Sequence, residues 1–163
     1  MQKQIERAAG RLLTLLLAEG LRVSFAESCT GGLAAAAFTA CPGASAALEM
    51  SFVTYCDRAK AQLLAVPPAM LARHTAVSAP VALAMALGAQ KAAVADLALA
   101  VTGLAGPGAD ELGRQPGLVY LAAAFRDNVW VFRHHFPGDR RLVRQQAALA
   151  VLQLGGRALT GRL

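Results

Sequence analysis

Aromatic residues are scarce in this chain. Phe, Tyr and Trp make up 6% of its 163 residues, with a single Trp. That leaves no stripe of rings on which nucleic-acid bases could stack, so nucleic-acid binding has little support. Cysteine is equally sparse: Cys29, Cys41 and Cys56 are the only three, with no CxxC and no Cys/His cluster. An odd count without paired spacing excludes a disulfide scaffold and a zinc site, and reduced thiols point to the cytoplasm. Long hydrophobic runs are missing too. The longest apolar stretch, residues 80–101, is interrupted by Gln90, Lys91 and Asp96. It reads as a buried helix followed by a strand rather than a membrane span. The first residues are polar, and the apolar run at 12–17 is too short for a secretory signal.

Hydrophobic residues make up 56% of the chain and charged residues only 16%. This balance excludes intrinsic disorder, and a chain of this length buries roughly 70% of its unfolded surface without help from a metal or disulfide. One domain spanning residues 1–163 is expected. Lys and Arg number 16 against 10 Asp and Glu, a formal net charge of +6. The excess favours anionic partners such as phosphates.

Periodicity predicts a helix over 2–19, stopped by Gly20, then a strand over 22–26 and a helix over 33–39. A strand over 48–55 and helices over 57–64 and 68–74 follow. Ser78 stands at the N-cap of a helix that runs to Ala92, with Pro80 just inside it. A buried strand over 97–101 leads into residues 102–117, which hold five glycines and two prolines. A loop that long inside a compact domain is commonly functional. A hairpin of strands 117–125 and 129–136 and a last helix from Asp139 towards Leu154 complete the chain. Strands alternating with helices, then a late hairpin, predict an α/β domain with a mixed sheet.

Four segments carry chemistry. In Ala26-Glu27-Ser28-Cys29-Thr30-Gly31-Gly32, a strand-to-helix turn pushes the Ser28 hydroxyl outward, and the following N–H groups can hold an anion. A helix cap by Ser28 or Thr30 accounts for the same residues. Tyr55-Cys56-Asp57-Arg58-Ala59-Lys60 brings a tyrosine and a lysine to the sheet edge where ligands gather in α/β folds. A lysine there is a general base if burial lowers its pKa, and a solvated helix residue otherwise. In Val101-Thr102-Gly103-Leu104-Ala105-Gly106-Pro107-Gly108, glycines let backbone N–H groups close on a phosphate. It lacks the Gly-Lys-Ser/Thr of a Walker A loop. Arg133, Gly138-Asp139-Arg140-Arg141 and Arg144 supply guanidinium forks for phosphate, or a solvated basic face. His74, His134 and His135 form no triad-like pattern, and on a strand the last two face opposite sides.

These blocks, together with Phe52-Val53-Thr54-Tyr55 and Ala76-Val77-Ser78, occur in an order that resembles the C-terminal domain of the competence/damage-inducible CinA proteins. That family also includes stand-alone nicotinamide-nucleotide amidases, and the resemblance covers nearly the whole chain. It implies a three-layer α/β/α sandwich, a homo-oligomer of two or more copies, and no metal or cofactor. The implied reaction is hydrolysis of the carboxamide of nicotinamide mononucleotide to nicotinic acid mononucleotide and ammonia, in pyridine-nucleotide recycling. The resemblance makes Ser28 the nucleophile, Lys60 its general base and Tyr55 an assisting group. Substrate contacts are expected from Glu27, Cys29, Thr30, Gly31, Thr102, Gly103, Gly106, Arg140 and Arg144.

Three places depart from the family pattern. Glu49-Met50-Ser51 stands where glycines are expected before Phe52, Thr75 where a glycine is expected before Ala76, and residues 109–117 lack the expected Lys-Pro-Val-Gly-like end. Two other readings remain: Cys29 as nucleophile with Glu27 or Lys60 as base, and a non-catalytic nucleotide- or partner-binding domain.

Overall fold

Alternation in the central strands assigns one face of the sheet to large aliphatics and the other to alanine. The computed structural model describes residues 1–163. Its elements are α1 (Gln2–Glu19), β1 (Val23–Glu27), α2 (Leu33–Thr39), β2 (Phe52–Val53), α3 (Asp57–Leu64), α4 (Pro68–His74), α5 (Ala79–Ala93), β3 (Leu97–Gly103), β4 (Leu118–Phe125), β5 (Asn128–His135) and α6 (Arg140–Thr160). The strand order is β2-β1-β3-β4-β5. β2, β1 and β3 run parallel, and β4 and β5 are antiparallel additions, which makes the sheet mixed.

Phe25, Leu97, Leu99, Val101, Val119 and Leu121 point to one side and pack with α1, α2 and α6. Ala26, Ala98, Ala100, Ala122 and Ala124 point to the other and pack with α3, α4 and α5. The result is a three-layer α/β/α sandwich. The alanine face lets α5 lie close, through Ala82, Met85, Ala86 and Ala89. α3 in turn is drawn onto α5 at Gly88, where any Cβ would collide with the Leu64 carbonyl. This contact matters because α3 carries Lys60.

Helices α2, α3 and α4 match the sequence reading, and Gly20 ends α1 in the left-handed conformation with φ 65°. The strand expected over 48–55 is a correction. Only Phe52 and Val53 pair with β1, preceded by an isolated bridge at Leu48. Between them the Ser51 hydroxyl donates to the Phe25 carbonyl at 3.1 Å, taking the place of a ladder bond. α6 continues past Leu154 to Thr160. Gly155 is no helix stop; a Cβ there would lie 2.8 Å from Leu99 and 3.1 Å from Leu12, so glycine permits the close packing of α1 and the sheet on α6. Ser78 precedes α5 as expected, but its hydroxyl donates back to the Thr75 carbonyl instead of capping the helix. No helix is long and apolar enough to cross a membrane.

Candidate active site

The C-terminal ends of β1 and β3 open onto a cavity of about 320 Å³. Ser28 follows β1 directly. Its N–H donates to the Val101 carbonyl at 3.0 Å, which extends the β1–β3 ladder one residue and fixes the Ser28 backbone. Its side chain is 8% exposed, opening onto the cavity.

Lys60 approaches from α3 and is 1% exposed. Its Nζ lies 3.2 Å from Ser28 Oγ and donates to the Thr54 carbonyl at 2.8 Å. Thr54 is held in turn, its N–H donating to the Glu27 carbonyl at 2.8 Å. The lysine is thus aimed at the serine by backbone on both sides. Burial lowers its pKa from the ordinary 10.5, while the charge of Asp57 and the thiols of Cys56 and Cys29 pull weakly the other way. No ion pair holds Lys60 in the charged form. A buried amine without a counter-ion is driven towards neutrality.

Glu27 has a different role from the one the sequence suggests. Its carboxylate accepts from the N–H groups of Gly32 at 3.0 Å, Ala34 at 3.3 Å and Ala35 at 2.8 Å. The N–H groups of Gly32, Ala34 and Ala35 at the start of α2 are therefore consumed inside the protein. Glu27 and Gly31 lie off the cavity wall, as do Thr30 and Arg144. Arg144 donates to the carbonyls of Cys29 at 3.1 Å and Thr30 at 2.8 Å, so it shapes the turn from behind. The N–H group of Cys29, which lines the cavity, donates to no protein acceptor and is the free donor beside Ser28.

Cys29 lines the cavity, but its thiol is buried and its pKa is pushed up to about 12, chiefly by desolvation. The nearby Glu27 charge adds to the rise; Arg144 and Lys60 oppose it. A thiolate, the reactive form, is disfavoured here.

The outer half of the cavity is built differently. Tyr55 is 61% exposed and touches neither Ser28 nor Lys60 through a hydrogen bond; its hydroxyl accepts from Arg140 at 2.8 Å. Arg140 also donates to the Gly106 carbonyl at 2.6 Å, tying α6 to the glycine loop. Asp139 caps α6 through the Leu142 N–H at 2.8 Å and so sets the direction of that arginine. In the loop, the N–H groups of Ala105, Gly106, Gly108 and Ala109 have no protein acceptor, and all four residues line the cavity. Thr102 and Gly103 line it as well. The Thr102 hydroxyl donates to the Ala76 carbonyl at 2.8 Å, holding the 75–78 segment against β3. None of the three histidines reaches this cavity.

Arg114 was not singled out in the sequence. It donates to Asp110 at 2.7 Å, the Val77 carbonyl at 2.7 Å and the Thr75 hydroxyl at 3.0 Å, clamping the loop to the 75–77 segment. Thr75 has φ 63° and ψ 163°, a region that only glycine occupies without strain. Two of the three departures from the family pattern, Thr75 and the loop around Arg114, are thus in contact. A missing glycine next to an altered loop was the only available signal.

A family model described as the CinA C-terminal domain matches residues 5–159. The chain is 50% identical over 139 residues to a CinA-like protein of Geobacter sp. (strain M21), covering 85% of this chain and 34% of that protein. It is 46% identical over 147 residues to a CinA-like protein of Citrifermentans bemidjiense, covering 90% and 36% respectively. The chain therefore spans about a third of the length of these relatives. A crystal structure of a CinA superfamily protein from Klebsiella pneumoniae superposes with a TM-score of 0.93 at 36% identity, covering 96% of this chain and 98% of that one. A competence/damage inducible protein from Agrobacterium tumefaciens gives 0.91 at 40% identity, covering 96% of each. The chain belongs to the CinA C-terminal domain family.

Proposed function

We propose that the chain is an amidohydrolase that converts nicotinamide mononucleotide to nicotinic acid mononucleotide and ammonia, with Ser28 as nucleophile and Lys60 as general base. The observation that carries this reading is the 3.2 Å approach of a buried, uncompensated lysine to a serine on the wall of a ligand-sized cavity. Neutral Lys60 takes the Ser28 proton as Oγ bonds to the carboxamide carbon. The oxyanion is received by the N–H group of Cys29. Collapse breaks the C–N bond, and the proton on Lys60 passes to the departing ammonia. Water then attacks the ester on Ser28 as Lys60 accepts its proton. Lys60 returns that proton to Ser28 Oγ as the ester C–O bond breaks, which frees the acid product, ionised to the carboxylate in solution. One oxyanion donor is worth about 3 kcal/mol in such reactions.

The outer half of the cavity suits the nucleotide. The free loop N–H groups and Arg140 supply phosphate donors, and Tyr55 assists by holding Arg140 at the rim. The same reading places the protein in the cytoplasm as a homo-oligomer working in pyridine-nucleotide recycling without a metal or cofactor. Ammonia release from nicotinamide mononucleotide, measured for the wild type and Ser28→Ala side by side, tests it. Turnover lost in the variant is the expected result. Nucleotide binding without turnover in the wild type would instead favour a non-catalytic binding domain.

A further inference from the structure

On the opposite side of the sheet, a second cavity of about 450 Å³ opens between α1, β5 and α6. Three arginines line it: Arg11 from the middle of α1, Arg157 from the last turn of α6, and Arg162 just beyond that helix. None of the three takes part in an ion pair, and no acidic residue lines the cavity. The dipole of α6 accounts for basic residues at its C-terminus. It does not account for Arg11, which belongs to another helix and faces the same space. Arg157 is oriented by the Phe132 ring, 5.7 Å from its centroid.

Two further residues line this cavity. His134 Nε2 is buried without a hydrogen-bond partner, its ring stacked on Phe136 at 5.2 Å. Burial, and then the Arg157 charge, lower its pKa from the ordinary 6.5. Gly156 lies within α6, where glycine is destabilising relative to alanine. Gly155 beside it is required by packing, but a Cβ at Gly156 would meet only Leu15 at an ordinary 3.7 Å. The protein's own packing does not demand a glycine at 156, whereas the missing side chain keeps the cavity floor open.

We infer that this cavity binds a phosphorylated small molecule, with Arg11, Arg157 and Arg162 on the phosphate and Gly156, Gln153 and His134 around the remainder. Three guanidinium groups lining one cavity match a doubly or multiply charged phosphate better than a single carboxylate. The volume is that of a small-molecule site. The inference stands apart from the proposed amidase reaction, because no residue is shared between the two cavities.

Titration calorimetry of the full chain with inorganic pyrophosphate is the test, supported by the NMR signals of the His134 ring. Saturable binding should weaken about tenfold or more in Arg157→Ala, the loss of one charge-assisted contact. It should also weaken in Gly156→Leu, which fills the floor, and persist in Arg140→Ala, which alters only the first cavity. The His134 signals should move on addition of pyrophosphate to the wild type and to Arg140→Ala. Melting temperatures identify any variant that fails to fold, and Arg157→Ala carries the test alone if Gly156→Leu does. Absence of saturable binding would overturn the inference. So would binding unchanged by Arg157→Ala, or binding lost in Arg140→Ala. A drop in oligomeric state in Arg157→Ala would show that a second copy covers the cavity, and would also overturn it.

Discussion

The two halves of the first cavity are built on opposite principles. The inner half, Ser28 with Lys60, is buried and held by backbone: Val101 fixes the serine, Thr54 aims the lysine, and Glu27 locks the turn between β1 and α2. The outer half, Tyr55, Arg140 and the 104–117 loop, is exposed and held by long side chains reaching across the rim. Rigid placement suits a nucleophile and its base, which need fixed separation. Side-chain clamps suit recognition, which tolerates adjustment. Substitutions in the inner half should therefore act on kcat or on folding, and those in the outer half on KM.

The largest effect is expected at Lys60. Lys60→Met should lower kcat by a factor on the order of 10²–10⁴, the typical contribution of a positioned general base. Its stability profile gives a second readout. Burial depresses the folded-state pKa below 10.5, so the unfolded chain binds more protons than the folded chain between those two values. Wild-type stability should rise with pH across that window and be lowest below the folded pKa. The Lys60→Met variant should lack this slope in denaturant titrations run at several pH values. Activity of the wild type should rise over the same range as Lys60 loses its proton.

Glu27 tests the inner half through its scaffold. Glu27→Ala orphans three N–H donors at the start of α2, and should cost about 3 kcal/mol in chemical denaturation. If Glu27 touched substrate instead, stability would hold and only KM would move. The outer half is probed at Arg114. Its removal frees the loop from Thr75 and Val77, and should raise KM about tenfold with little change in kcat. A parallel fall in kcat would show that the loop also orders the reacting groups. Cys29→Ala should change least, leaving kcat within about twofold, since a thiol with a pKa of about 12 is no nucleophile at neutral pH. Abolished turnover in a folded Cys29→Ala variant would move the covalent chemistry from Ser28 to the sulfur.

Local signals made much of this architecture legible. Apolar spacing located α1, the Pro67-Pro68 boundary separated α3 from α4, and the turn residues Arg126-Asp127-Asn128 marked the hairpin of β4 and β5. What stayed hidden depended on contacts distant in sequence. The 48–55 strand shrank to two residues at the sheet edge, where it has one partner and the Ser51 hydroxyl takes a ladder bond's place on the Phe25 carbonyl. The run of α6 past Leu154 was hidden because nothing local announces that Leu12 and Leu99 will press against Gly155. In the candidate site, Ser28 and Lys60 stood out as residue types, but the sequence could not place them 3.2 Å apart. Nor could it show that Glu27 faces a helix and not the cavity. Arg114 was invisible because its partners lie 37 and 39 residues earlier in the chain.

The most direct test of the central claim, that Ser28 and Lys60 form one chemical unit, is mass spectrometry of the wild type quenched during turnover of nicotinamide mononucleotide. The account predicts an acyl adduct on the peptide that contains Ser28, located at Ser28 by fragmentation and absent from Ser28→Ala. Ammonia release with the adduct on Cys29, or with turnover retained in Ser28→Ala, would contradict it.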